Sequence, residues 1–475
     1  MRELLRKNPR FFFYLALGAL LYRLYFALYL PCLSAGDTYV YANLARTLLD
    51  HHVYGLTGDN ANYAVSLIRL PGYPYFLAVI FRLFGQNNWT AVMVVQAFLD
   101  TVTCFFIAAI ARRVINDRAA KIAFVLAAFC PFTVNYAGTV LTETGTFFCT
   151  SLAFLLAIIS FDEKRLAPMA WAGAAMAYAI LLRPDSGWLL GSFGIFMLLR
   201  MWVIPGERKF LFRAGVVLLA VALAPLVPWT IRNWRDFHVF QPLVNPHALD
   251  PGEQEPLGFD RWVGTWVTHY SDLEDFAFKV SGEPLSMNDL PAHAFYDAQE
   301  KLEIAKLIDQ YNEQVDVTKE MDVEFGRIAD RHIREHRIRV YVVVPFLRLT
   351  SIWLRPRTEM LPLDTHWWRF SDDPHDSLWG IGLGLLNLGF IVIALMGIFS
   401  GPPIRYIGIF ALYLIVRTFF LWYMGAAEDR YTLEAFPCLW ILGARYLAGW
   451  GVHSALGKQH SVEAVEKSRP LAISN

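Results

Sequence analysis

Charge is scarce in this sequence. Asp, Glu, Lys and Arg make up 18% of its 475 residues, against roughly 25% in soluble globular proteins. Basic and acidic residues balance, 42 against 42, so no positive excess points to nucleic acid. Cysteine is sparse too. Cys32, Cys104, Cys130, Cys149 and Cys438 lie mostly in or beside apolar runs, with no CxxC pair and no Cys/His cluster; they read as small buried hydrophobes. No His/Asp/Glu group has metal-ligand spacing, and His51-His52 are adjacent rather than one helical turn apart. Internal repeats and low-complexity segments are absent.

What is there is apolar: 56% hydrophobic residues, 15% of them all aromatic. A membrane-spanning helix needs about 20 mainly apolar residues. Segments of that kind start near Phe11, Trp89, Ala119, Glu143, Ala167, Gly187, Phe210, Leu378, Pro403 and Leu433. The first follows Met1–Arg10 and runs to about Pro31, longer than the roughly 7–15 apolar residues of a signal sequence, so it reads as an uncleaved span. Lys and Arg favour loops that stay in the cytoplasm. Arg2, Arg6, Lys7 and Arg10 put the N-terminus there. Arg112, Arg113, Arg118 and Lys121, then Lys164 and Arg165, then Arg200, Arg208, Lys209 and Arg213, then Arg405, mark successive inside loops, and Lys458, Lys467 and Arg469 the tail. Two apolar stretches are too short to span, Gly72–Phe84 with Arg82 and Val340–Leu354 with Arg348; both are laid along the outer interface. The expectation is an all-α polytopic membrane protein with about 10–13 transmembrane helices.

Outer loops then fall at 31–88, 131–142, 183–186, 229–377 and 425–432. The fourth is too long for a simple connection, and helical periodicity over Phe295–Tyr311 and Val317–His336 predicts a small helical subdomain. The chain divides into a transmembrane module 1–230, a large outer region 231–377, C-terminal transmembrane helices 378–450 and a disordered cytoplasmic tail 451–475. Arg23 and Asp100 fall inside spans, where an ionisable residue is either functional or one half of a structural pair.

The outer loops collect Asp37, Arg69, Glu143, Arg183, Asp185, Arg232, Glu428, Asp429 and Arg430. Acids and arginines facing each other at one membrane surface suit one reaction class. A carboxylate takes the proton of an incoming hydroxyl, while arginines hold a departing phosphate bidentately. Each residue also has a plainer reading. Asp37 is a good N-cap for a helix over Thr38–Leu49, Glu143 favours a helix start, and Arg69 could be a snorkelling interfacial side chain. Tyr39, Tyr41, Tyr73 and Tyr431 are aromatics of the kind that gather at interfaces. The sequon Asn88-Trp89-Thr90 is read as chance.

The run Gly36-Asp37-Thr38-Tyr39-Val40-Tyr41 resembles the first-outer-loop motif of GT-C glycosyltransferases, in the branch of bacterial protein O-mannosyltransferases and lipid A aminoarabinose transferases. Further matches follow in family order: Arg69-Leu70-Pro71-Gly72-Tyr73-Pro74, Leu141-Thr142-Glu143, Arg183-Pro184, Pro228-Trp229-Thr230-Ile231-Arg232-Asn233-Trp234 and Glu428-Asp429-Arg430-Tyr431. All sit on the face that the charge rule assigns to the outside.

The resemblance implies a GT-C-like bundle with juxtamembrane helices in the first outer loop. It implies Asp37 as base on the acceptor hydroxyl and Glu143 as an acid orienting acceptor or metal. Arg69, Arg183, Arg232 and Arg430 would contact the lipid phosphate, with Tyr41, Tyr73, Glu428 and Tyr431 completing the substrate site. The implied donor is a polyprenyl-phosphate sugar drawn from the membrane, and the acceptor a glycan, lipid or protein at the periplasmic face of a bacterial inner membrane. Several relatives carry two adjacent acids in the first loop. Thr38 follows Asp37 here, so no metal site is assigned and a divalent cation is left open as a cofactor. The rival reading is a transporter or lipid-linked-sugar flippase, which would place binding groups near the midplane of repeated halves.

Overall fold

The computed structural model describes residues 1–32, 35–58, 62–245, 249–280 and 282–450; the tail 451–475, with its basic residues, lies outside them. The described chain is almost wholly helical, with one two-stranded antiparallel pair, Gly55–Thr57 and Tyr63–Val65.

Each of the ten apolar segments is helical. Six helices are long and apolar enough to cross a membrane: Pro9–Tyr29, Trp89–Val114, Glu143–Glu163, Pro184–Val203, Pro205–Phe237 and Pro374–Phe399. Asp117–Ala128 and Pro131–Ala137 form a seventh if counted together across a 55° bend. Leu166–Leu182 and Ile407–Tyr423 are apolar but only 17 residues long, and residues 436–450 are helical as well. The chain is an integral, multi-pass membrane protein. Gly72–Phe84 is a 13-residue helix; Val340–Leu354 becomes a π-helical turn, Arg339–Val343, running into the helix Val344–Leu354.

One core joins the two ends of the chain, from Leu4 and Phe12 through Phe154 to Trp440 and Ala448. A second core lies within residues 231–377, built on Phe259, Trp262, Trp266, Ile304, Phe325 and Ile328. Its helices include Ala298–Gln314, which overlaps the predicted Phe295–Tyr311 and runs past its end, and Lys319–Glu335, within the predicted Val317–His336.

The loops grouped by their basic residues touch one another. Arg112 reaches Glu3 at 3.3 Å, Arg113 reaches Asp162 at 3.2 Å, and Lys164 reaches Glu207 at 2.6 Å. Arg405 also pairs with Asp162. The first long helix carries the chain from that face to Asp37 at the other.

Arg23 and Asp100 do meet. Pro131 has no N–H, so its break orphans the Ala127 carbonyl that an unbroken helix would satisfy. Arg23 fills the gap: Nη2 donates to Ala127 O at 3.2 Å, Nη1 to Ala128 O at 2.8 Å, and Nε to Asp100 Oδ2 at 2.7 Å. Both residues are buried. They form a structural clamp on a kinked helix. Asn88 likewise has a structural use, its side chain accepting from Ala91 N at 3.0 Å to cap the Trp89–Val114 helix.

Candidate active site

Asp37 lies in the first turn of the helix Ala35–His51, so it is inside that helix rather than its cap. The next residue explains the departure from a paired-acid motif. Thr38 is buried and donates to Val140 O at 3.1 Å, tying this helix to the segment that leads into Glu143. Cys32 N adds a bond to Gly138 O at 3.0 Å. First and second outer loops are thus fixed side by side.

Arg69 is brought in by a close backbone approach. A Cβ on Gly72 would sit 2.6 Å from Leu181 C and O, so only glycine lets the start of the Gly72–Phe84 helix press on the end of Leu166–Leu182. Tyr178 OH donates to Gly72 O at 3.1 Å across that contact. Arg183 caps the second helix and Arg69 precedes the first, so both guanidiniums reach the same space.

There they form a continuous network. Arg69 Nη2 meets Asp37 Oδ1 at 2.7 Å, and Arg430 Nη1 meets Asp37 Oδ2 at 3.3 Å. The same Arg430 nitrogen is 3.9 Å from Glu143 Oε1, and Nε is 2.6 Å from Glu428. Arg183 pairs with Glu143 and, at 3.2 Å, with Asp185. The Tyr431 ring is in cation–π contact with two guanidiniums, 4.7 Å from Arg183 Cζ and 5.6 Å from Arg430 Cζ. Tyr41 stacks edge-on against Tyr73 at 5.1 Å and lies 5.8 Å from Arg69 Cζ.

Asp37, Tyr41, Arg69, Arg183, Asp185, Arg430 and Tyr431 of this network open onto one cavity of about 600 Å³. Its charged wall is Asp37, Arg69, Arg183, Asp185 and Arg430, and its apolar wall includes Leu182, Trp188, Val244, Phe420 and Met424. Burial by itself would push the Asp37 carboxyl up, but the charge and hydrogen bonds of Arg430 and Arg69 outweigh it and hold the group below its ordinary value. Burial opposes charge on Arg183 and Arg430 too, and the carboxylates around them more than offset it. The result is an anionic carboxylate held between permanent cations, beside an apolar surface.

Four residues expected at the site do not line this cavity: Glu143, Arg232, Tyr73 and Glu428. Arg232 donates to Ser66 O and Tyr54 O, both at 2.8 Å, and pairs with Asp236 at 2.9 Å; it braces the loop behind Arg69. Tyr73 is buried, its hydroxyl donating to Gln96 Oε1 at 2.8 Å, and it supports Tyr41 from below. Glu428 acts through its ion pair with Arg430. Sequence reading passed over Arg417, fully buried in the helix Ile407–Tyr423, which holds Asp185 Oδ2 at 2.7 Å and Glu434 at 3.5 Å. Its signal was visible: a lone arginine within an apolar run. Trp188 and Phe420, rings 5.5 Å apart, carried no signal beyond their apolar character.

The acids do not fit a shared divalent cation as they stand. Both Asp37 oxygens accept from arginines, and Arg430 Nη1 occupies the space between Asp37 and Glu143 that a bridging ion would need. Among the described residues, Asp373, His375 and Asp376 form a different exposed group, where Asp373 caps the Pro374–Phe399 helix.

A family model described as dolichyl-phosphate-mannose-protein mannosyltransferase matches residues 69–231, from Arg69 to the residue before Arg232. No curated protein matches the chain in sequence. Among solved structures, the oligosaccharyltransferase of Archaeoglobus fulgidus tethered to an acceptor peptide superposes with a TM-score of 0.53 at 14% identity, covering 98% of this chain and 52% of that one. The same enzyme with Zn and sulfate gives 0.50 at 14% identity, covering 95% and 51%. ArnT from Cupriavidus metallidurans gives 0.38 at 15% identity, covering 92% and 77%. This chain thus spans about half the length of the archaeal chains it superposes on. With the helical architecture, the family-model match and the superpositions on the archaeal enzyme agree with the resemblance: the described chain has the GT-C fold of polytopic membrane glycosyltransferases.

Proposed function

We propose that this protein transfers a sugar from a polyprenyl-phosphate-linked donor to an acceptor hydroxyl, with inversion at the anomeric carbon. The observation that carries the reading is the meeting of Asp37, Arg69, Arg183 and Arg430, from four separate stretches of chain, on one largely apolar cavity, with Glu143 paired to Arg183 and near Arg430 behind it. In the proposed step Asp37 takes the acceptor O–H proton as that oxygen attacks the anomeric carbon. The bond from that carbon to the phosphate oxygen breaks on the opposite face. The departing lipid phosphate carries the negative charge, and Arg69, Arg183 and Arg430 stabilise it. Glu143 keeps Arg183 and Arg430 oriented, and the apolar wall suits the isoprenoid end of the donor.

Localisation in a bacterial inner membrane, with both termini cytoplasmic and the cavity periplasmic, belongs to the same proposal; the basic loops on the N-terminal face support it. The acceptor is a glycan, a lipid such as lipid A, or a protein. Purified protein in nanodiscs, incubated with polyprenyl-phosphate sugars labelled in the sugar, tests the reading. Transfer or slow hydrolysis with release of lipid phosphate is expected. Movement of intact donor across the bilayer with no bond cleaved would replace the enzyme by a carrier.

A further inference from the structure

Between the helix Ile407–Tyr423 and the 3-10 turn Asp429–Ala435, the backbone has no regular structure. This stretch carries Glu428 and leads to Arg430, so its path decides where the Arg430 guanidinium points. Ala427 within it and Asp429 at the start of the turn are buried. Main-chain carbonyls that no helix satisfies need donors when buried.

Three buried arginines from outside the segment supply them. Arg348 Nη1 donates to Met424 O at 2.9 Å, Arg357 Nη1 to Asp429 O at 2.9 Å, and Arg417 Nε to Tyr431 O at 2.7 Å. Arg357 holds its place with a backbone φ of +62°, a region disfavoured for a residue with a side chain. Arg417 serves the site directly through Asp185. Arg348 does something different: its other nitrogens donate to Val267 O at 3.0 Å and Gly264 O at 2.8 Å. Gly264 ends the helix Leu257–Gly264, whose last carbonyls lack partners within the helix. One guanidinium therefore binds the outer helical subdomain on one side and the start of the Arg430 segment on the other. The side chain of Ala427 completes the join, because it is packed in the subdomain's core.

We propose that Arg348 is a positioning residue for Arg430: it locks the segment Met424–Tyr431 to the outer helical subdomain, so that the subdomain sets the geometry with which Arg430 meets Asp37 and the donor phosphate. Arg348 touches no substrate; it acts through Arg430. The inference rests on the proposed function only for the identity of the phosphate.

A double-mutant cycle tests it, read as affinity for a polyprenyl monophosphate in nanodiscs. Arg348→Gln should weaken binding about tenfold when Arg430 is intact, and by less than about twofold in an Arg430→Lys background, because residues acting as one unit are not additive. Arg348→Lys, which retains one or two of the donors, should fall between and serves in the same cycle if the Gln variant does not fold. An equal factor in both backgrounds would mark Arg348 as a general structural residue and overturn the proposal. Hydrogen exchange needs no ligand: the amides of residues 425–431 should exchange faster in the Arg348 variant while those of 436–450 stay protected. Unchanged exchange over 425–431 would overturn the proposal even if transfer is established. Wild-type protein that binds the lipid phosphate and shows the coupling, yet moves no sugar, would keep the positioning role and remove the transferase.

Discussion

Arg23 with Asp100, and the arginines around Asp37, are built from the same side chains and differ in what surrounds them. Around Arg23 every donor has a fixed protein acceptor: one carboxylate, the Ala127 and Ala128 carbonyls at the Pro131 break, a neighbouring Ala19 carbonyl at 3.1 Å and Cys104 Sγ at 3.3 Å. Neither side chain is accessible beyond 2%. Around Asp37 the side chains are about a quarter exposed, 25% for Asp37, 22% for Arg69 and 19% for Arg430, and they face a cavity. The first arrangement closes a hole in the helix ladder and has no room for a ligand. The second holds several charges within reach of one another at a cavity with an apolar wall, where the proposed phosphate and hydroxyl would enter. Buried charge alone does not mark a site; buried charge beside space does.

The contrast can be broken from the structural side. Arg23→Met should cost about 3–5 kcal/mol, the usual loss when one partner of a buried pair is left uncompensated, seen as a lower melting temperature and poor yield. The activity of the protein that does fold should be unchanged. Adding Asp100→Leu should recover much of the loss; a rate defect in folded Arg23→Met protein would mean the clamp reaches the cavity. From the other side, Arg69→Gln should leave stability nearly intact and weaken donor use roughly 10–100-fold, the value of a charge-assisted hydrogen bond.

The same variant sharpens the pH dependence. In the wild type, arginines hold the Asp37 carboxyl below its ordinary value. The base therefore stays ionised down into the acid range, and any stability it contributes is present above the unfolded value near 3.9 and lost as pH falls through the folded one. Removing Arg69 leaves burial, which raises the pKa, less opposed, so the acid limb of the rate profile should move to higher pH. An unmoved limb would assign that limb to another group. The smallest effect belongs to Arg232→Gln. It loses bonds to Ser66 and Tyr54 carbonyls and an ion pair with Asp236, and transfer should change by less than about threefold.

Much of this was legible in the sequence because the membrane enforces simple rules. Apolar length gave the helices, and basic residues sorted their loops onto two faces. Asp37, Glu143, Arg183 and Arg430 stood out as charges at the ends of apolar runs. Arg232 and Tyr73 stood in motifs of the same strength yet turned to main-chain carbonyls and to Gln96. No local pattern says which way a side chain at a helix end will point. Arg348 and Arg417 were visible as single charges in apolar stretches, but their partners lie far along the chain: Gly264, Val267 and Met424 for one, Asp185 for the other. Only the packed fold brings those carbonyls and acids to them.

The central claim is that Asp37 is the base and the arginines around it hold the phosphate. Single-turnover release of lipid phosphate, measured for wild type and Asp37→Asn with the same labelled donor and acceptor extract, tests it most directly. The account predicts that the variant folds, inserts and binds donor like the wild type but releases lipid phosphate at least about a thousandfold more slowly. Release at the wild-type rate by a folded Asp37→Asn protein would contradict it.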